Sequence, residues 1–220
     1  MFHSFFDSES PFFCLLGRVL DIVVLSVLWL ICSLPIVTIG PASAALYYSC
    51  AKCLRHQEPG PYRNFFSAFR QNLKTGIGAT MALLLLAILL GAGYRFLAGV
   101  VGSASPVWGA MRVMYLVLMV IPVSVSACAF PLLSRFTYTV GELLSNSLRM
   151  TFRHLPRMVA AGALTATAVA LTVLFWYCGV ILLTPALSAL LTTFLLEPVF
   201  RKYTPEMELD EGMEPPWYLR

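Results

Sequence analysis

Charge is what this sequence has least of. Charged residues make up 12% of its 220 positions and acids number only 11, against 59% hydrophobic side chains and a mean hydropathy of +0.79. A soluble domain of this length could not cover its surface with so few charges. The acids inside or beside the apolar runs, Asp21, Glu142 and Glu197, are isolated from one another, so paired carboxylates for acid/base work are missing. No H-E-x-x-H zinc pattern, no phosphate-cradling G-x-x-x-x-G-K-[ST] and no Ser/His/Asp grouping occurs. The expectation is a chain that is not an enzyme, holds no cofactor and binds no nucleic acid. Cys14, Cys32, Cys50, Cys53, Cys128 and Cys178 are scattered, mostly in apolar runs, which argues against a disulfide framework.

What is present is length of apolar run. Uncharged stretches cover Ile22 to Ala51, Thr75 to Tyr94, Val113 to Ser134 and Met158 to Leu196. A bilayer core of roughly 30 Å needs about 20 helical residues, so each of the first three can cross once. The last is long enough to fold back, with its turn between Gly179 and Pro185. This predicts an all-α, polytopic membrane domain over 1–203 with about five spans, near 19–39, 76–94, 114–133, 158–178 and 180–199. Residues 204–220 form an acidic, disordered tail. The opening, with Phe5, Phe6 and Phe12 around Asp7 and Glu9, reads as an interfacial segment. Ala42-Ser43-Ala44 has the form of a signal cleavage site, but the acidic start and the long apolar run speak against cleavage.

Pro35, Gly40 and Pro41 are expected to break the first helix, after which Ala42 to His56 forms another that is too short to cross. Arg18 and Asp21 share a face and can pair. Glu197 and Arg201 stand four apart at the end of the last span. Pro122 and Pro131 mark kinks in the third, and Gly162, Ala166 and Ala170 form a small-residue stripe that lets another helix approach.

The segments between spans are basic. Tyr62, Phe65, Phe66, Phe69 and Leu73 recur at helical spacing, opposite Arg63, Arg70 and Lys74. Val140, Leu143, Leu144, Leu148, Phe152 and Leu155 do the same near Arg149, Arg153 and Arg157. Both predict basic amphipathic helices lying on an anionic membrane surface. They align at an offset of 79, Phe65 with Leu144 and Arg70 with Arg149, which suggests a degenerate internal repeat. The excess of basic residues places these loops and the C-terminus in the cytoplasm and, with five spans, the N-terminus outside.

Cys50, Cys53 and His56 fall near one helical face. A zinc site wants a fourth ligand and usually a turn between the cysteines, so the preferred reading is two small apolar thiols beside a surface histidine. Ser26, Thr80, Ser124, Ser126, Thr165, Thr167 and Thr172 could line a solute path, although such hydroxyls more often bond back to their own helix.

Three segments together, Leu34-Pro35-Ile36-Val37-Thr38-Ile39-Gly40-Pro41-Ala42-Ser43-Ala44-Ala45-Leu46-Tyr47-Tyr48, Phe65-Phe66-Ser67-Ala68-Phe69-Arg70-Gln71-Asn72-Leu73-Lys74 and Glu197-Pro198-Val199-Phe200-Arg201-Lys202-Tyr203, resemble the YesL family of bacterial integral membrane proteins. The opening Phe5 to Pro11 is similar to that family's start. The family is itself of unknown function, with no established catalytic or binding residues. Its members are commonly encoded beside carbohydrate importers of the ATP-binding-cassette class. The resemblance therefore implies a multi-pass protein of the bacterial cell membrane, acting as a non-catalytic accessory or assembly partner of such an importer. The alternative is a self-sufficient small-solute transporter.

Overall fold

A computed structural model describes residues 11–100, 106–174 and 182–203, and among these the regular elements are all helices. In chain order they are α1 (Pro11–Cys32), α2 (Ile39–Ser49), α3 (Pro61–Gln71), α4 (Leu73–Val100), α5 (Pro106–Arg135), α6 (Val140–Arg153), α7 (Leu155–Leu174) and α8 (Thr184–Phe200). Leu73–Phe96, Gly109–Arg135 and Leu155–Thr172 are long and apolar enough to cross a membrane, and α8 is a shorter apolar helix of 17 residues. The all-α membrane architecture expected from composition is the one observed. The opening through Ser10, the middle of the connection before α5, residues 175–181 with the first part of the expected turn, and the tail from Thr204 lie outside the described residues.

The expected first span over 19–39 is not a single helix. α1 ends at Cys32, because Pro35 disfavours helical geometry at Leu34 and cannot donate to the ladder. A short 3₁₀ turn, Ile36–Thr38, follows, and the Thr38 hydroxyl lies 2.7 Å from the carbonyl oxygens of both Cys32 and Pro35, closing the corner. Gly40 and Pro41 do not break anything: they sit in the first turn of α2, where the missing proline N–H has no helical partner to lose. From Gly40 to Cys53 nearly every residue is buried, and the last turn, Cys50–Arg55, widens into i→i+5 bonding.

Gly40, read from sequence as a hinge, is a packing residue. A Cβ added there would meet Thr80 and Phe130 and come 2.9 Å from the Gly76 carbonyl oxygen. Gly76 in turn leaves room for the Pro41 ring. The equivalent approach of α5 and α7 is made at Gly162, whose added Cβ would lie 3.2 Å from Ser124 Cα. Of the predicted stripe only Gly162 is used in this way, since Ala166 and Ala170 are exposed.

Each amphipathic helix leads into a span through a one-residue break, Asn72 in the first case and His154 in the second. Aligning the breaks sets an offset of 82 (154 less 72), not the 79 that superposes the cations. In the new register burial coincides: Phe65 with Ser147, Ala68 with Met150, Gly76 with Met158, Ala79 with Ala161 and Thr80 with Gly162. It continues back into the preceding helices, where Ala45, Leu46, Cys50 and Ala51 match Ala127, Cys128, Leu132 and Leu133. At 79, buried Phe65 would face half-buried Leu144, and Phe69 would face exposed Leu148. Thus α2–α3–α4 and α5–α6–α7 have the same order and share many of their inward positions, although buried Pro41 faces exposed Val123 and buried Leu143 faces half-buried Pro61. α8 packs against α7, α1 and α2.

Candidate functional site

The polar residues that the fold brings together are Tyr47 from α2, Arg135 from the end of α5 and Glu197 from α8. Each comes from a different unit, and all are buried: Glu197 is 7% exposed, Tyr47 2%. The Arg135 guanidinium forms an ion pair with the Glu197 carboxylate, and the Tyr47 hydroxyl donates to the same carboxylate oxygen, Oε1, at 3.4 Å. Arg55 comes in from the widened turn, donating from Nη1 to the Thr193 carbonyl at 2.9 Å with its guanidinium 4.9 Å from the Phe194 ring centroid. Phe200 meets the Tyr47 ring edge-on, with centroids 6.3 Å apart.

Burial strips both charges of water, so each depends on its partner. Removing one partner of such a pair costs about 3–5 kcal/mol, whereas replacing both by apolar residues is often neutral. This arrangement straps α2, α5 and α8 into one body. The expected i, i+4 neighbours Glu197 and Arg201 diverge, because Glu197 turns into the core while Arg201 is exposed. Arg55 and Arg135, unlike the cations of α3 and α6, turn their guanidiniums toward α8. The available signal was Glu197 itself, an acid closing a stretch without charge, which must find a cation in the interior.

The remaining candidates separate. Cys50 Sγ faces the Ala186 carbonyl oxygen at 3.7 Å, while Cys53 Sγ accepts from Asn64 Nδ2 at 3.3 Å. Among the described residues, no three His, Cys, Asp or Glu side chains gather as a metal cage. Asp21 does not take Arg18: it accepts from the Tyr62 hydroxyl at 2.5 Å and so ties α1 to α3, and that bond pushes the Tyr62 phenol up to about 12. The hydroxyls mostly serve their own helices, Thr80 donating to Gly76, Ser124 to Val120, Ser126 to Val123, Thr165 to Gly162 and Thr167 to Ala163, each at 2.7–2.9 Å. Ser26 differs, accepting from the Ala186 N–H at 3.2 Å.

The basic helices keep their outer faces free. Arg63, Arg70, Lys74, Arg149, Arg153 and Arg157 are all exposed. In α6 the stripe read from sequence splits in two. Leu143, Ser147, Met150 and Thr151 point into the core, while Leu148, Phe152 and Leu155 are exposed.

Residues 22–94 match the model of a family described as "Protein of unknown function, DUF624". The match covers a third of the chain, from within α1 to within α4, and so takes in α2, α3 and the packing of Gly40 on Gly76. No curated protein and no solved structure matches the chain.

Proposed function

We propose that this protein is a non-catalytic accessory or assembly partner in carbohydrate uptake, docked to an ATP-binding-cassette sugar importer in a bacterial cell membrane. The observation that carries the reading is how its polar groups are used. The buried charges strap the helices together and most span hydroxyls close onto their own backbone, with Ser26 and Thr172 tying their helices to α8, while six cations stand on exposed faces of α3, α6 and the helix starts that follow them. Such faces suit docking at a membrane surface and against a partner. The resemblance to YesL proteins supports the sugar-importer context, and the excess of basic residues supports a cytoplasmic position for α3, α6 and the C-terminus.

Affinity purification from native membranes in mild detergent, with mass spectrometry of whatever accompanies the chain, tests this. Importer permease or solute-binding subunits should be recovered in near-equal amounts. A partner-free protein that moves a solute unaided in liposomes would replace the reading with the transporter alternative.

A further inference from the structure

A cavity of about 300 Å³ opens between the end of α5, one side of α6 and the turn after α8. Arg149, Arg153, Asn146, Tyr138 and Tyr203 supply its polar lining, with Met150 among its apolar walls. Among the described residues no acid lines it. Arg153 holds its guanidinium 5.7 Å from the Tyr203 ring centroid, and the Tyr203 hydroxyl lies 3.2 Å from His154 Nε2. Arg149 and Asn146 have no hydrogen-bond or ion-pair partner among the described residues. Burial, and then the cations Lys202, Arg153 and Arg157, push the His154 imidazole down, so positive charge is concentrated at this end of α6.

The repeat sets this place apart. In the register of 82, Arg149 and Arg153 correspond to Ser67 and Gln71, and Asn146 corresponds to Asn64. Burial agrees at all three positions, exposed for both pairs and half-buried for the asparagines. In α3 these groups are occupied locally: Gln71 Nε2 donates to Ser67 Oγ at 3.3 Å, while Asn64 accepts from Lys52 and donates to Cys53 and Pro59. In α6 the neutral pair gives way to two cations one turn apart, about 5–6 Å between their Cβ atoms, which repel each other until an anion bridges them. Two guanidiniums, an amide and a phenol hydroxyl lining one cavity present more donors than the two oxygens of a carboxylate take up. The tetrahedral oxygens of a phosphate accept from several of them at once.

We propose that the Arg149/Arg153 cavity binds a phosphate group, carried either by a lipid headgroup at the membrane surface or by a soluble phosphate compound. The two guanidiniums grip the phosphate oxygens, Asn146 and Tyr138 add neutral donors, and the Tyr203 ring steadies Arg153. The site is a feature of the second unit, because Ser67 and Gln71 give α3 no charge to neutralise at the equivalent place. It is independent of the docking role proposed above.

The test is phenylglyoxal modification of the full-length chain in delipidated dodecyl maltoside micelles, which carry no phosphate, followed arginine by arginine with peptide mass spectrometry. Arg63 and Arg70, exposed on α3, are the internal reference. In one arm inorganic phosphate is added at an ionic strength matched with chloride; in the other, phosphatidylglycerol is added to the micelles without free phosphate. In at least one arm Arg149 and Arg153 should be protected relative to Arg63 and Arg70, by about three-fold when the ligand stands at about twice its Kd. Protection by inorganic phosphate identifies a soluble ligand, and protection by phosphatidylglycerol alone identifies a headgroup. R149Q, at an exposed position, should abolish the protection of Arg153. Equal slowing of all four arginines would mean a diffuse charged surface and overturn the proposal, as would the absence of protection in both arms. Protection of Arg153 that persists in R149Q would overturn the two-guanidinium site.

Discussion

α3 and α6 occupy matching places, each entering a span after one broken residue, yet they meet the core with different chemistry. α3 buries an aromatic: Phe65 is fully enclosed, stacked on Phe69 with ring centroids 6.4 Å apart and edge-on to Phe66 at 5.7 Å. α6 puts two hydroxyls at its inner positions, Ser147 donating to Leu143 and Thr151 to Ser147 along its own backbone, between Leu143 and Met150. Hydroxyls that bond within their own helix leave α6 a small inner face, whereas Phe65 fills a cluster with Ala45 and Leu46 of α2. One architecture therefore tolerates either large or small inner residues, provided the neighbouring helix is shaped to suit. What the two units share is held at their junction, where Tyr47 of the first, Arg135 of the second and Glu197 of α8 meet.

The largest effect is expected at that junction. Glu197→Ala leaves Arg135 buried without its counter-charge and should cost about 3–5 kcal/mol, and Arg135→Met combined with Glu197→Leu should recover most of it. Denaturant titration of the purified protein in mixed micelles reads both. A cost below about 1 kcal/mol for the single change would mean that the two units cohere without the strap. Next comes the contrast between the helices. Phe65→Ala should cost about 3–5 kcal/mol through the cavity it opens, whereas Ser147→Ala should cost no more than about 1 kcal/mol, since its partner is a carbonyl of its own helix. Equal costs would erase the distinction between a large and a small inner residue.

Much of this was legible because membrane helices are long and apolar and interfacial ones are periodic. α4, α5 and α7 stand out as uncharged runs, and α3 and α6 as apolar residues recurring at helical spacing opposite basic ones, aromatic in α3 and mostly aliphatic in α6. The sequence does not show depth. Pro35 and Pro41 look alike as helix breakers, but Pro35 ends the corner after α1 and Pro41 opens a buried helix, a difference made by Gly76 and Thr80 far along the chain. The register of the repeat is hidden for a related reason. Cations on outer faces superpose at 79, while the offset of 82 depends on which residues are covered by neighbours. Arg135 and Arg55 are indistinguishable by type from the exposed arginines; Glu197 on the facing helix selects the first, and the Thr193 carbonyl and Phe194 ring of the same helix take the second.

The helix starts sharpen the comparison on a smaller scale. α6 begins with a capping box, in which the Thr139 side chain accepts from the Glu142 N–H and Glu142 accepts from the Thr139 N–H at 2.9 Å. Those bonds, the backbone one foremost, hold the Glu142 carboxyl below the usual carboxylate range. A depressed carboxyl contributes its stability at neutral pH and loses it as pH falls through the lowered value. Thr139→Ala should cost about 1 kcal/mol near pH 7, with less difference from the parent in acid. α3 has no such cap and relies on Gly60, at φ +80°, ahead of Pro61. Gly60→Ala should cost a similar amount through backbone strain, but with no dependence on acid. Thermal scans of both variants at neutral and acid pH separate the two mechanisms, and parallel behaviour would mean that the capping box adds nothing in solution.

The smallest expected effect lies in the contact that α3 makes and α6 lacks, the Tyr62 hydroxyl on Asp21 of α1. Because that bond raises the Tyr62 phenol to about 12, its contribution is complete below the ordinary tyrosine value near 10 and disappears as pH climbs through the raised one. Tyr62 is largely exposed, so the consequence is spectroscopic before it is energetic. In an ultraviolet titration of tyrosinate formation, Asp21→Asn should bring one tyrosine down toward its ordinary value while the others keep their positions. If the titration curve is unchanged, α1 and α3 are held by the apolar contacts of Ile22 and Leu25 with Phe65 and Phe69 alone, and the hydroxyl adds direction without stability. A shift of one tyrosine would instead make Asp21 the polar fastening of α3, doing from α1 what the capping box does for α6 from within its own first turn.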